Sequence, residues 1–212
     1  MADLQRSREN LLKYLDHEIA DKHVVEAMTH VPRDAFVPSE QHHAAYDDRP
    51  LGIGFGQTIS QPFIVALMVQ ALELKQSEQV LELGTGSGYE AAILAELAQK
   101  VVTVEHIPEL AESAKQVLDK LGYSDVEIHV AGKTLGWPAG APYDAIIVSA
   151  GAPSVPRVLL EQLTWGGRLV IPVGSRWQQD LLKVTKLKKG NRIENLGGCY
   201  FVPLIGEGAW GK

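Results

Sequence analysis

The segment Leu83-Gly84-Thr85-Gly86-Ser87-Gly88 places three glycines at alternate positions, and Glu82 stands two residues ahead of the first. A glycine loop between a strand and a helix lets a ligand approach the backbone and meet the N-terminus of that helix. The same composition also serves as a tight strand-to-helix turn that binds nothing. The spacing is G-x-G-x-G, not the G-x-G-x-x-G that cradles a dinucleotide pyrophosphate, and no Gly-Lys-Ser/Thr follows. A carboxylate at position 82 would repel a pyrophosphate. It suits a ligand that carries cationic groups.

Glu105 lies 21 positions beyond Gly84, at the end of the apolar run Val101–Val104. An acid about 20 residues past the glycine loop, at the carboxyl edge of a strand, is placed to hydrogen-bond ribose hydroxyls. An ammonium and a sulfonium for Glu82 and a ribose for Glu105 together describe S-adenosylmethionine. Ser60 stands just before Pro62, where a helix can begin, and by position it reads as an N-cap. The histidine pairs His17/His23 and His42/His43 have no acidic or cysteine partners at metal spacing, so no metal site is expected. Cys199 is the one cysteine and reads as a buried, inert thiol in a reducing cytoplasmic setting.

The elements that must hold these residues follow from hydrophobic pattern. Up to about Asp48 the chain reads helical, with Leu4, Leu11, Leu12, Leu15 and Ile19 at helical spacing and a short helix over Glu40–Ala45 capped by Ser39. Arg49–Gln61 reads as a loop holding three glycines. A helix from Pro62 to about Leu74 would bury Ile64, Leu67, Met68, Ala71 and Leu72. Strands at Val80–Leu83, Val101–Glu105, Val126–Val130, Asp144–Ser149 and Arg168–Val173 then alternate with helices at Tyr89–Ala98, Pro108–Leu121 and Val155–Leu163. That alternation implies right-handed crossovers and a parallel sheet covered on both faces. Leu181–Leu187 and Arg192–Leu204, joined by Lys188–Asn191, read as a hairpin at the sheet edge, and the lysines around it, Lys183 among them, as a solvated face. The fold class is thus α/β, a doubly wound, mostly parallel seven-stranded sheet with an antiparallel C-terminal hairpin. Residues 1–48 form a helical appendage on a domain spanning 49–212. Trp137 and Trp165 read as packing residues, Trp177 and Trp210 as the rim of a cleft.

The bulk numbers fit such a domain. With 45% hydrophobic and 22% charged residues, 212 residues suffice for a core without staples. The apolar runs Phe63–Val69 and Ala145–Val148 are too short to span a bilayer. A net charge of −6 with no long basic run excludes nucleic acid as the expected partner.

Leu81–Tyr89 resembles the cofactor loop of class I methyltransferases. Gly54-Phe55-Gly56-Gln57-Thr58-Ile59-Ser60-Gln61-Pro62 is more specific and resembles the signature of protein-L-isoaspartate O-methyltransferases. Gly136-Trp137-Pro138, Asp144–Val148, Gly166–Gly174 and Phe201-Val202-Pro203-Leu204 follow in that family's order. The resemblance implies a Rossmann-like enzyme. It would methylate the free α-carboxylate of L-isoaspartyl residues in damaged peptides and proteins, beginning repair through a succinimide. It implies S-adenosyl-L-methionine as cofactor and S-adenosyl-L-homocysteine as product. The chain is expected to be a cytoplasmic monomer with neither membrane nor nucleic acid as partner.

By the same resemblance Ser60 is the active-site serine, orienting the carboxylate, with Thr58 and Ile59 beside the cofactor. Glu82, Gly84, Thr85, Gly86, Gly88, Glu105 and His106 fall at cofactor-contacting positions, and Gln179 matches a glutamine near the cofactor. The family's Gly-Asp-Gly is Ala131-Gly132-Lys133 here, so the Asp expected near the adenine is Gly132, and Lys133 reads as a solvent-facing loop residue. The Arg before Phe-Val-Pro is Tyr200. These departures leave open an alternative of the same fold, a carboxyl methyltransferase with a dedicated peptide or small-molecule acceptor.

Overall fold

The computed structural model describes residues 2–211. Its frame is a seven-stranded sheet built from β3 (Gln79–Leu83), β4 (Lys100–Glu105), β5 (Glu127–Val130), β6 (Tyr143–Val148), β7 (Leu163–Gly174), β8 (Gln179–Lys186) and β9 (Asn191–Cys199), ordered β5-β4-β3-β6-β7-β8-β9. The first five of these strands run parallel, β8 pairs antiparallel with β7, and β9 pairs antiparallel with β8. Val80, Leu81, Val102, Ile146 and Ile147 are buried because helices cover both faces, which is why these strands are mostly apolar. The chain leaves β3 for β4 on one side and returns to β6 on the other. The crevice at the carboxyl ends of β3, β4 and β6 is therefore the switch point of the sheet.

The helices α4 (Tyr89–Leu97) and α5 (Pro108–Leu121) follow β3 and β4, and α5 begins at Pro108 and ends at the left-handed Gly122, φ 90°. Before them come α1 (Ala2–Glu18), α2 (Lys22–His30) and two 3₁₀ turns, whose Leu15, Val24, Met28 and Phe36 share one apolar cluster with α3 (Pro62–Leu72) and α4. The α3 helix buries Val65, Ala66 and Val69 beside Met68, Ala71 and Leu72, while Ile64 and Leu67 are half-buried. Its sequence is apolar nearly all round, so periodicity alone does not select the buried face.

Several elements differ from the sequence reading. Arg49–Gln61 is a hairpin, β1 (Leu51–Gly54) paired antiparallel with β2 (Gln57–Ile59), whose tip holds Gly54, Phe55 and Gly56 at positive φ. The helix expected over Val155–Leu163 is one short turn, α6 (Arg157–Glu161), because β7 already starts at Leu163. The last strand stops at Cys199, and Phe201–Ile205 crosses back over the sheet end, with Pro203 bridging Gly151. Ser39 caps nothing. Its turn follows Pro38, and its hydroxyl bonds Glu40. Lys183 is buried at 5% exposure, with Nζ 2.7 Å from the Glu73 carboxylate, and Trp165 is exposed. Cys199 is half-buried, and burial, with Asp180 nearby, pushes its thiol up to about 11.

Arg168, inside the Gly166–Gly174 segment, is a staple. Its guanidinium donates to the carbonyls of Leu72, Glu73 and Asp144 and to both oxygens of Glu78, at 2.7–3.2 Å. It thereby ties the left-handed end of α3, Glu73 at φ 51°, to the sheet.

Candidate active site

A cavity opens at the switch point. Its floor is the glycine loop. Gly84 donates its N–H to the Val104 carbonyl at 2.8 Å, and Ser149 donates to Leu83 at 2.9 Å, so the loop starts where three strands end together. Gly84 at φ 96° and Gly86 at φ 52° sit where side chains are disfavoured, and both line the cavity. Gly88 does not reach it. A Cβ there would lie 3.1 Å from Leu118 and 3.3 Å from Ala114, so this glycine serves the packing of α4 on α5. Thr85 lines the cavity and shares a 2.6 Å hydroxyl–hydroxyl hydrogen bond with Thr103.

Glu105 is on the wall, buried, and holds the loop in shape. One carboxylate oxygen accepts from the Gly86 N–H at 2.8 Å and the other from the Ile107 N–H at 2.9 Å. Each oxygen keeps a second lone pair, so hydroxyl recognition stays open to it. His106 and Ile107 continue this wall, and Ala131, Gly132, Thr134, Leu135 and Gly136 follow. A Cβ built on Gly132 meets nothing within 4 Å, and Lys133 is exposed and off the wall.

The opposite wall is the β1–β2 hairpin, with Gln57, Thr58, Ile59 and Ser60. Ser60 is not the cap of α3. Gln61 occupies the cap position, and Asp48 does the work, accepting from Phe63 N at 2.9 Å and from Gln61 Nε2 at 2.8 Å. Among the described residues the Ser60 hydroxyl makes no hydrogen bond, while its carbonyl accepts from Arg33 at 2.8 Å. Arg33 is fully buried. It also donates to Ala45 at 2.9 Å and lies 5.0 Å from the Tyr89 ring centroid, so it fixes the hairpin against α4. The segment Val202–Ile205 closes the remaining side. Gln179 braces that segment from behind, accepting from Phe201 N at 2.8 Å and donating to Ser175 at 2.6 Å, and it does not line the cavity.

The structure thus gathers Thr58, Ile59, Ser60, Gly84, Thr85, Gly86, Glu105 and His106 on one cavity, and leaves Glu82, Gly88 and Gln179 off its wall. Glu82 is fully buried, with neither carboxylate oxygen hydrogen-bonded, and burial, then the charges of Glu90 and Glu105, hold it well above the ordinary carboxylate range. Sequence reasoning passed over Glu90, which does line the cavity and accepts from the Ser149 hydroxyl. Its one signal is an acid in the first turn of a mostly apolar helix, which the helix dipole alone accounts for.

Buried unpartnered carboxylate oxygens beside a backbone cradle fit a ligand with cationic groups. The opening over Gly132 and the apolar Ile107 and Leu135 fit a flat heterocycle.

The protein family described as Protein-L-isoaspartate(D-aspartate) O-methyltransferase matches residues 6–209 of this chain. The chain is 50% identical over 212 residues to protein-L-isoaspartate O-methyltransferase 1 of Syntrophobacter fumaroxidans, covering 99% of each. It is 54% identical over 205 residues to the protein-L-isoaspartate O-methyltransferase of Dictyoglomus turgidum, covering 96% of this chain and 93% of that one. Among solved structures, a protein-L-isoaspartate O-methyltransferase superposes with TM-score 0.86 at 29% identity, over 95% of this chain and 67% of that chain. A Plasmodium falciparum structure described as a putative protein-L-isoaspartate O-methyltransferase, in complex with S-adenosyl-L-homocysteine, superposes with TM-score 0.81 at 25% identity, over 92% of this chain and 96% of that chain.

Proposed function

The chain belongs to the protein-L-isoaspartate(D-aspartate) O-methyltransferase family, and from that premise we infer that its cavity methylates the free α-carboxylate of L-isoaspartyl residues in damaged peptides and proteins, beginning their repair. The observation that carries the reading is the meeting of Ser60, the Gly84–Gly86 loop and Glu105 on one cavity at the sheet's switch point. S-adenosylmethionine, when bound, supplies a methyl group on a sulfonium whose leaving group is a neutral thioether.

The rest of the chemistry asks little of the protein. A carboxylate is ionised at neutral pH, with model carboxyl pKa values of roughly 3.3–4.3, so no general base is required. A neutral leaving group needs no general acid. What remains is alignment at near-attack distance. Ser60, with an unengaged hydroxyl on the wall and its backbone held by Arg33, orients the acceptor carboxylate. Thr58 and Ile59 flank it. Gly84, Thr85 and Gly86 would hold the amino-acid end of the cofactor. Glu105 would take the ribose, and the Gly132–Gly136 loop would face the base. Glu82, Gly88 and Gln179 act one layer back, on the loop and wall that make these contacts. A single half-buried cysteine supports a cytoplasmic setting, and among the described residues no helix is long and apolar enough to cross a membrane.

The test is transfer of labelled methyl from S-adenosylmethionine to a short isoaspartyl peptide beside its aspartyl twin. Labelling of the isoaspartyl form alone supports the reading. Labelling of neither, with cofactor bound, would replace repair by a dedicated acceptor.

A further inference from the structure

The carboxyl groups of Glu82 and Glu90 lie close enough to interact beside the glycine loop, and among the described residues neither forms an ion pair. Glu90, at 8% exposure, lines the cavity. One of its oxygens accepts from Ser149, and Oε1 has no partner. Glu82, at 0% exposure, has no hydrogen-bond partner on either oxygen among the described residues. The groups that face them do not neutralise them. From β4, Glu105 brings a third negative charge but is engaged by the N–H groups of Gly86 and Ile107, and Thr103 offers a hydroxyl shared with Thr85. Ser149, beyond β6, offers one hydroxyl. From α4, Tyr89 presents its ring to Arg33, whose guanidinium serves the carbonyls of Ala45 and Ser60. His106 stands further along the wall, and Lys133 is exposed to solvent.

Two like charges cannot both persist at such a site without compensation, because burial disfavours each ionised form and each disfavours the other. We propose that Glu90 is a further cofactor-binding side chain, and that it and Glu82 hold one proton between them in the free enzyme and release it to solvent when the cationic cofactor fills the cavity. This rests on S-adenosylmethionine being the cofactor of this cavity. The balance is simple: one O–H bond of a carboxylic acid breaks, its proton goes to buffer, and the positive charge of the incoming ammonium takes its place. Burial also pushes Glu90 up to about 7, against the pull of the Ser149 hydrogen bond, and raises Glu82 as well.

The experiment is titration calorimetry with S-adenosylmethionine and with S-adenosylhomocysteine near pH 6.5, in two buffers of different ionisation enthalpy. At that pH a free α-amino group, pKa about 7.7–8.0, already carries its proton. The expected result is release of about one proton per ligand bound, with affinity rising up to about tenfold per pH unit. In Glu90→Gln the ligands bind more weakly and the release falls toward zero. Independently of any variant, the infrared carbonyl band of a protonated carboxylic acid should disappear on binding. Binding of either ligand without proton release in the unaltered enzyme overturns the proposal. So does a release that survives Glu90→Gln and vanishes in His106→Asn. Absence of binding by the folded enzyme overturns the function proposed above instead, so the two failures are distinct.

Discussion

Replacing Ser60 and Asp48 separately by alanine distinguishes two jobs that meet at the start of α3. By position Ser60 reads as the helix cap, but the hydrogen bonds assign the cap to Asp48, which accepts from Phe63 N and from the Gln61 side chain at 2.9 and 2.8 Å. Loss of a cap costs about 1 kcal/mol. In a chain of this length that lowers Tm by about 2–4 °C. Asp48→Ala should therefore melt early while keeping kcat near the original value at temperatures where it is folded. Ser60 contributes no hydroxyl hydrogen bond to the fold among the described residues, so Ser60→Ala should change stability by no more than about 0.5 kcal/mol. If its hydroxyl orients the substrate carboxylate, a bond to a charged group worth about 1.5–3 kcal/mol is lost. At about 1.36 kcal/mol per tenfold, methyl transfer falls roughly 10- to 150-fold. Thermal melts and labelled transfer to an isoaspartyl peptide, run on both variants, read the two effects apart. A Ser60→Ala enzyme that melts as early as Asp48→Ala yet turns over normally would refute the assignment.

Gly132→Asp, at a position where a Cβ meets nothing within 4 Å, should fold normally and bind S-adenosylhomocysteine several-fold more tightly, since one added hydrogen bond is worth about 0.5–1.5 kcal/mol. Calorimetry with an inosine analogue, which lacks the adenine amino group, should erase the gain. Gly88→Ala, at φ 89° with Leu118 3.1 Å from its Cβ, should lose about 1–3 kcal/mol of stability, seen in denaturant melts, with cofactor affinity in the folded protein little changed. Arg168→Met removes one partner of a buried pair and should cost about 3–5 kcal/mol in the same melts. The Glu78 carboxyl lies below its ordinary value: burial pushes it up, and the hydrogen bonds from Arg168 and Lys75 N–H outweigh that. A lowered carboxyl stabilises above its unfolded pKa, about 4.3, and loses that contribution as pH falls through the folded value. Glu78→Gln should thus be less stable at pH 7 but show a shallower acid limb.

The parallel strands were legible because burial on both faces makes them mostly apolar, as in Ile146–Val148, and α5 because Pro108 and Gly122 mark its ends. The β1–β2 hairpin was not. Its register shifts between Gly52 and Gly54, and glycines at positive φ read as loop. Lys183 misled for a different reason. A lysine in an alternating strand reads as solvated, and its partner Glu73 is distant in sequence, on the left-handed residue that ends α3. Trp165 misled in the opposite sense, lying exposed under the Lys186 ammonium, 4.9 Å from the ring centroid. Pairings between remote segments leave no local pattern, and Gln179 with Phe201 and Glu90 with Ser149 are of that kind.

Glycine spacing and acid position disclose where a ligand lies, yet they do not separate the residues that touch it from those that hold its frame. Gly84 and Gly88 have equivalent signatures, and only one faces the cavity, because Gly88 is required by Leu118 and Ala114 of α5. Glu105 belongs to both classes, since two backbone N–H groups occupy it before any ligand does. A reaction that needs no proton transfer at its centre permits this economy. Its polar side chains need not be kept free to act as acids or bases, so most are committed to rigid positioning, which supplies the catalysis. On that view the cavity-wall groups left without full partners, the Ser60 hydroxyl and the Glu90 carboxyl among them, are the ones that wait for substrate and cofactor.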